Sequence, residues 1–226
     1  MQNITSEEIL KKEKDNAVFL FSVLLVSVCV WNLFYAGLNY FKISIPPFCM
    51  TYILLGMGMI LTWIIYRNTD ISLKDMGLSI KNIRKPLIFN ICVSVSVCLI
   101  MIVLKAILVK SGSDFFPKGQ PFWDFGFTLG MKLYPISVVL QEFLSQGIIH
   151  ECLMRILKGK HSGALAILLS SVLFAALHIH RGFSFMIGSL LLVSIIGILY
   201  RKQRTIWGLC ITHYTITMFG YFLNWL

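Results

Sequence analysis

Residues 86–109 read PLIFNICVSVSVCLIMIVLKAILV, an almost wholly apolar run of 24 residues whose one charge is Lys105. A helix of about 20 such residues crosses the hydrocarbon core of a bilayer. The rest of the chain has the same character, because 57% of its 226 residues are hydrophobic and only 13% are charged. A water-soluble domain of this size would lack the polar residues to cover its surface. The composition therefore predicts several membrane-spanning helices.

Seven apolar windows of roughly spanning length fill most of the chain. They are 17–41, 47–66, 86–109, 127–157, 163–179, 182–200 and 205–226. We therefore predict an all-α polytopic membrane protein with about seven transmembrane helices in one bundle. A polar segment at 1–16 precedes a single membrane domain at 17–226, and it lacks the features of a cleaved signal peptide. There is no internal repeat of the kind that many transporters show.

The net charge of +10 raises the question of nucleic-acid binding. If the N-terminus is cytoplasmic, fourteen of the twenty Lys and Arg residues fall in inside segments. The outside segments hold Lys42, Lys110, Lys118 and Arg181, and we expect Lys105 to extend its amine toward the interface. This asymmetry follows the positive-inside rule. Because the basic residues are spread over loops and form no common face, we expect the lipid bilayer as a partner and no nucleic acid.

Polar clusters inside the predicted spans are the best candidates for a functional site, because ionisable groups are costly in lipid and usually face a cavity or a partner. Four clusters qualify. They are QEFLSQG at 141–147, HECLMR at 150–155, FAALHIH at 174–180 and HYTIT at 213–217. The four clusters therefore lie in or next to the fourth, fifth and last windows.

The spacing of these clusters allows three helices to converge. Glu142 and His178 each lie eighteen residues from Lys160, which belongs to the turn between their spans. In an antiparallel helical hairpin two such residues are level. His213 enters from the last span, which begins on the same side of the membrane as that turn. The sequence therefore permits a pocket that contains one carboxylate and two imidazoles.

Three of these clusters, in this order, resemble the motifs of the CAAX protease and bacteriocin-processing family, also called the Abi family of intramembrane endopeptidases. The family pattern is E-E-x-x-x-R-G, then F-x-x-x-H, then a late His followed four residues on by Asn or a similar residue. The matching residues here are Gln141, Glu142, Gln146 and Gly147, then Phe174 and His178, then His213 and Thr217. The resemblance covers roughly 70–220, with its core at about 120–220.

The resemblance implies an intramembrane endopeptidase in a cell membrane, the plasma membrane of a bacterium. Glu142 and His178 would activate water against a peptide bond, while His213 and Thr217 would stabilise the oxyanion. Gln141, Gln146 and Phe174 would support them. The implied substrate is a peptide or a membrane-associated protein, which can be lipid-linked.

Two departures from the family pattern leave a second interpretation open. Gln141 replaces the first Glu, and an amide cannot accept a proton. Gln146 replaces the Arg, which removes a cation from the site. The alternative is a catalytically impaired family member that acts as a peptide-binding or bacteriocin-immunity membrane protein.

Two further interpretations of the polar residues remain. No cofactor is certain, but a divalent metal such as zinc is chemically possible at Glu142, His178 and His213, with His180 as a further ligand. Glu151 and Arg155 imitate the acidic-x-x-x-Arg spacing in a shifted register. We interpret them as a structural ion pair, since residues four apart share one helix face.

Overall fold

The computed structural model describes residues 6–113, 115–116 and 119–225, so Lys118 and the first five residues of the polar segment lie outside the described residues. Within these ranges every regular element is helical and no strand occurs. The helices pack into one bundle around a shared core. The prediction of an all-α polytopic membrane protein is confirmed.

Eight α-helices make up the described chain. They are α1 (Ser6–Tyr40), α2 (Pro47–Asn68), α3 (Arg84–Lys110), α4 (Leu129–Glu142), α5 (Glu151–Ile156), α6 (Ser162–Leu177), α7 (Phe183–Gln203) and α8 (Trp207–Phe222). A π-helix at Phe143–His150 joins α4 to α5 without a break, and a 3₁₀ turn at Ile179–Arg181 joins α6 to α7. The chain thus forms seven helical stretches, which coincide with the seven apolar windows.

Four of these stretches are long and apolar enough to cross a membrane by themselves, as far as the described residues extend: Lys11–Tyr40, α2, α3 and α7. The stretch from α4 to α5 is apolar but is interrupted by its π-helix. Helices α6 and α8 are shorter, with 16 residues each. The interrupted stretch carries Glu142, His178 follows α6 directly, and α8 carries His213.

Helix α3 has the inverse polarity of a helix in a water-soluble protein. Its buried side chains are Asn90, Ser94, Cys98 and Lys105. Its outward side chains are apolar, and Ile91, Val95 and Leu99 are 48%, 53% and 57% exposed. Polar atoms therefore point into the protein and apolar atoms point out, the arrangement that hydrocarbon as a solvent requires.

The buried polar face of α3 packs against α8 and the end of α7. The Asn90 side-chain amide donates to Gln203 Oε1 at 2.7 Å, and the Thr212 hydroxyl donates to Asn90 Oδ1 at 2.8 Å. Gly208 allows this approach, because a Cβ atom there would lie 2.5 Å from Asn90 Nδ2. Small residues and polar contacts of this kind are typical of helix pairs in membranes.

The start of α8 is held by the connection between α2 and α3, residues 69–83, which we call the 69–83 loop. Its Gly77 carbonyl accepts from Ile206 N at 3.0 Å, and its Leu78 carbonyl accepts from the Trp207 indole at 3.4 Å. Gly77 has a φ of +76°, a conformation that favours glycine. On its other side the loop presses on the π-helix, where a Cβ at Gly147 would lie 2.5 Å from the Met76 carbonyl oxygen.

An ion-pair network closes the same end of the bundle. Arg155 Nη1 lies 2.9 Å from Asp70 Oδ1, and Arg204 Nη2 lies 2.9 Å from Glu151 Oε2. The Glu151–Arg155 pair expected from the sequence also forms, at a longer 3.9 Å. Hydrogen bonds from the side chain and backbone of Ser72 lower the pKa of Asp75, a loop residue that also faces Arg155. The 150–155 cluster is therefore part of a structural network.

Lys105 does not extend toward the interface as expected. Its side chain is buried, with 1% of the residue exposed, and Nζ donates to the carbonyl oxygens of Pro121, Phe122 and Leu223. The last carbonyl groups of a helix have no partner within the helix, and a cation satisfies them well. Lys105 thus holds the C-terminal end of α8 in place. The sequence had predicted that its amine would lie near the membrane surface instead.

We expect Gly147→Ala to destabilise the protein by about 1–3 kcal/mol, because the new methyl group meets a backbone carbonyl that cannot move independently. Thermal unfolding of the purified protein in detergent measures the effect. Gly56→Ala is the matched control, since nothing lies within 4 Å of a Cβ at that helical glycine. Equal melting temperatures for the two variants would contradict the close packing of the 69–83 loop against the π-helix.

Lys105→Met should lower stability by about 3 kcal/mol, since it leaves the carbonyl groups of Phe122 and Leu223 without this donor. Lys110→Met, at an exposed position of the same helix, should have little effect. Unfolding in detergent compares the two variants. A Lys105→Met protein as stable as the Lys110→Met protein would show that the buried amine does not hold the end of α8.

Candidate functional site

The centre of the site is a buried pair between α4 and α8. Glu142, the last residue of α4, is completely buried, and its Oε1 lies 2.6 Å from Nδ1 of His213 in α8. His213 is 3% exposed. A hydrogen bond this short between a carboxylate and an imidazole is charge-assisted, and burial of both groups in the protein interior strengthens it further. The convergence that the sequence permitted is thus present for these two residues.

Tyr134 extends this pair on the far side of the imidazole. Its hydroxyl lies 3.0 Å from His213 Nε2. Because an ionised carboxylate can only accept, His213 donates from Nδ1, and the neutral ring then accepts from the tyrosine hydroxyl at Nε2. Thr217 lies beside the same hydroxyl. Both ring nitrogens are therefore engaged, and the imidazole is held in one orientation.

Tyr134 was missed by the sequence analysis, although a signal for it exists. It precedes Glu142 by eight residues on α4, which is about two helical turns and therefore the same face. A tyrosine in an apolar span is ordinarily interpreted as an interface residue, and only its contact with His213 gives it a place in the site.

His178 lies at the end of α6, next to the pair but not hydrogen-bonded to it. Its Nδ1 is 2.8 Å from the Phe174 carbonyl oxygen, so Nδ1 donates and Nε2 remains available in the neutral ring. The ring centroids of Phe174 and His178 are 4.4 Å apart, and those of Phe174 and His213 are 6.4 Å apart. The spacing F-x-x-x-H therefore has a local cause: the residue four positions earlier supplies both the carbonyl and the ring that orient His178.

The two glutamines form only weak contacts. Gln141 donates to the Ser137 hydroxyl and Gln146 to the Ser145 hydroxyl, both at 3.5 Å. Two buried oxygen atoms have no hydrogen-bond partner among the described residues: the side-chain oxygen Oε1 of Gln146 itself and Oε2 of Glu142. Buried acceptors are nearly always satisfied in native proteins, so these two atoms are the natural binding points for a donor that enters the site.

An apolar cavity of about 390 Å³ adjoins the site. It lies between α1, α2, the π-helix and α6, and most of its wall is aliphatic. Its polar contributors include Gln141, Ser145 and His178, and the Phe174 ring also lines it. The cavity therefore gives an apolar molecule access to the side of the site where His178 lies.

The candidate metal ligands are not assembled around one point. Among the residues that the structure describes, no group of three or more His, Cys, Asp and Glu side chains could hold a metal ion. Glu142 and His213 are bonded to each other, and His178 is bonded to the Phe174 carbonyl. His180 lies 3.3 Å from the Thr51 hydroxyl instead. Glu142, His178 and His213 therefore do not surround one point in this geometry, and zinc binding by them, with or without His180, stays a prediction.

His180 belongs to the turn that follows α6 and packs on Trp31, with ring centroids 5.5 Å apart. Burial lowers the pKa of His180 to about 4. The ring is therefore neutral at physiological pH and behaves as a packed polar residue. The positive charge in this turn is carried by the next residue, Arg181.

Comparison with known protein families gives a match to the segment that contains these residues. Residues 124–219 match the family model of the type II CAAX prenyl endopeptidase Rce1-like proteins. No curated protein and no solved structure matches the chain significantly. The matched segment includes Tyr134, Glu142, His178 and His213. Over residues 124–219, this multi-pass membrane protein is therefore similar to the type II CAAX prenyl endopeptidase Rce1-like proteins.

Proposed function

We propose that this protein is an intramembrane endopeptidase that hydrolyses a peptide bond in a membrane-associated substrate, in the plasma membrane of a bacterium. The observation that carries the proposal is the buried Glu142–His213 pair beside an apolar cavity, within a segment of the CAAX protease family. A carboxylate held in a site of this kind can act as a general base toward water.

Glu142 is the proposed base, because Gln141 cannot accept a proton. Its Oε1 is occupied by His213, while its Oε2 has no partner among the described residues and can accept from water. Removal of a proton from that water produces a hydroxide equivalent that attacks the scissile carbonyl carbon. The same carboxyl group then returns the proton to the leaving amine. His213 keeps Glu142 oriented through this cycle.

The oxyanion that forms on the carbonyl needs hydrogen-bond donors. Nε2 of the neutral His178 ring is an acceptor beside the cavity, so His178 can hold the attacking water but supplies no donor to the oxyanion. The family resemblance gives the role of oxyanion donor to His213. In this site Nε2 of His213 accepts from the Tyr134 hydroxyl and has no proton to donate to a substrate oxygen, which leaves the tyrosine hydroxyl as a donor that can turn to the oxyanion.

The apolar cavity supports a substrate with a lipid-like group. Its volume of about 390 Å³ lies in the range of pockets that enclose small organic ligands. The matched family model is named for prenyl endopeptidases. A peptide with a prenyl chain near the scissile bond could place that chain between α1, α2 and α6 while its backbone reaches Glu142.

We expect Glu142→Ala, His178→Ala and His213→Ala each to reduce cleavage at least about 100-fold, since each removes a group that acts on the reacting atoms or orients the base. The assay uses purified protein in detergent or nanodiscs and a panel of farnesylated and unmodified peptides. His161→Ala, at an exposed position, is the matched control and should retain full activity. All variants should accumulate in the membrane. Unchanged cleavage in all three would refute the proposal.

The second candidate function is a catalytically impaired member that binds a peptide, for example in bacteriocin immunity. It is favoured by the two amides at positions 141 and 146, where the family has a carboxylate and a cation. Glu142→Gln separates the candidates, because it preserves shape while removing the proton acceptor. A peptide-binding protein tolerates this change, whereas an endopeptidase loses turnover.

Tyr134→Phe should lower kcat about fivefold with little change in KM, since one hydrogen bond that orients His213 is worth about 1 kcal/mol. Tyr66→Phe, at an exposed tyrosine in α2, should match the wild type. Steady-state kinetics on the same peptide measure both. A rise in KM at constant kcat would instead assign the Tyr134 hydroxyl to substrate binding.

A further inference from the structure

A second pocket lies next to the turn between α6 and α7. Its volume is about 250 Å³. The residues around it are Pro47, His180, Arg181, Ser184, Phe185 and Trp225. It differs from the apolar cavity because it contains a permanent charge, the guanidinium of Arg181. From the sequence alone, this arginine indicates only the topology of the chain.

Arg181 is held by neutral groups. Its Nη2 donates to the Tyr221 hydroxyl, and its guanidinium carbon lies 4.7 Å from the centroid of the Phe185 ring. No carboxylate among the described residues lies within ion-pair distance of it, whereas Arg155 and Arg204 both have acidic partners. A guanidinium has five N–H donors, so most of its donors remain for a ligand. Arg181 is thus oriented but not neutralised.

The backbone around the pocket adds to its positive potential. Helices α2 and α7 both begin here, with Pro47 and Ser184 in their first turns, and neither N-terminus has a side-chain cap. The N-terminal end of a helix carries a partial positive charge and free N–H groups. Together with Arg181, these two helix ends favour an anion with several acceptor atoms.

The pocket is connected to the proposed active site by direct contacts. The Phe185 ring that Arg181 covers is stacked against His178, with centroids 5.6 Å apart. Tyr221, the hydrogen-bond partner of Arg181, follows His213 by eight residues on α8, which is about 12 Å along the helix axis. An extended peptide covers that distance with about three to four residues.

We propose that Arg181 binds the C-terminal carboxylate of the peptide substrate, while the scissile bond lies at Glu142. The proposal rests on the endopeptidase function stated above. A carboxylate fits because it accepts two parallel N–H bonds from a guanidinium. Arg181 then acts as a specificity residue that selects free chain ends and sets the distance from the end at which cleavage occurs.

The test measures binding in the Glu142→Gln protein, in which the peptide is not turned over. The probes are a fluorescently labelled farnesylated pentapeptide with a free C-terminal carboxylate and the same peptide with a C-terminal amide. Fluorescence anisotropy should show that the acid binds at least tenfold more tightly than the amide. In Glu142→Gln/Arg181→Gln that ratio should fall to about one, and Arg181→Lys should keep part of it.

Two controls separate this role from a structural one. Arg67→Gln removes an exposed arginine in α2, and Tyr221→Phe keeps the Arg181 charge while removing its hydrogen bond. Both should retain a preference for the acid, and melting temperatures should confirm that every variant is folded. Equal affinities for acid and amide, binding of neither peptide, or an unchanged ratio in Arg181→Gln would each overturn the proposal.

The same experiment distinguishes the carboxylate site from a site for a lipid headgroup. It also separates a failure of this proposal from a failure of the proposed endopeptidase function. Arg181-dependent binding of phosphatidylglycerol vesicles, with equal affinities for acid and amide, would assign the pocket to a phosphate headgroup and overturn the proposal. A preference for the acid without cleavage by the wild-type protein would refute the endopeptidase function and leave the carboxylate site in place. Cleavage by the wild-type protein with equal affinities for acid and amide would refute the carboxylate site and leave the endopeptidase function in place.

Discussion

Polar groups inside a lipid-facing bundle must find partners in the protein, and in this chain many of those partners are on α8 or at its ends. The hydrocarbon offers no hydrogen bonds, so an unsatisfied polar group there costs several kcal/mol. Asn90 of α3 bonds to Thr212, the 69–83 loop bonds to Ile206 and Trp207, and Lys105 bonds to the Leu223 carbonyl. Helix α8 is therefore fixed along its length and at both ends.

This constraint explains why the candidate site is buried and why its side chains are held in fixed positions. His213 lies between the two fixed ends of α8, so Glu142 meets an imidazole whose backbone is held in place. The opposing stretch is irregular, because a π-helix begins directly after Glu142. Such segments are uncommon and frequently coincide with functional sites. A rigid helix that presents one partner and an irregular helix that presents the other can hold a carboxylate with one oxygen engaged and the other available.

Particular residues show how far sequence reasoning reached. Glu142, His178 and His213 were chosen as candidates because ionisable groups in apolar spans are rare and because three motifs occur in the order of the family that the chain resembles. Tyr134 was missed, since a tyrosine near a span end has a common alternative explanation. Lys105 was misjudged for the same reason: its flexible chain allows it to reach the interface, and only the position of the α8 carbonyls shows that it turns inward. Residues whose role depends on one partner cannot be identified from their own chemistry.

The amino-acid sequence by itself determined that the chain lies in a lipid bilayer and how many helical stretches it has. It also determined which three polar clusters are candidates for the site, because hydrophobicity, span length and residue type are local properties. The tertiary structure decided which of these clusters touch. It placed Glu142 against His213, oriented His178 through Phe174, and left Arg181 without an acidic partner among the described residues. Those contacts depend on helix rotation and on the depth at which each helix packs, which change by a few ångströms without altering any apolar pattern.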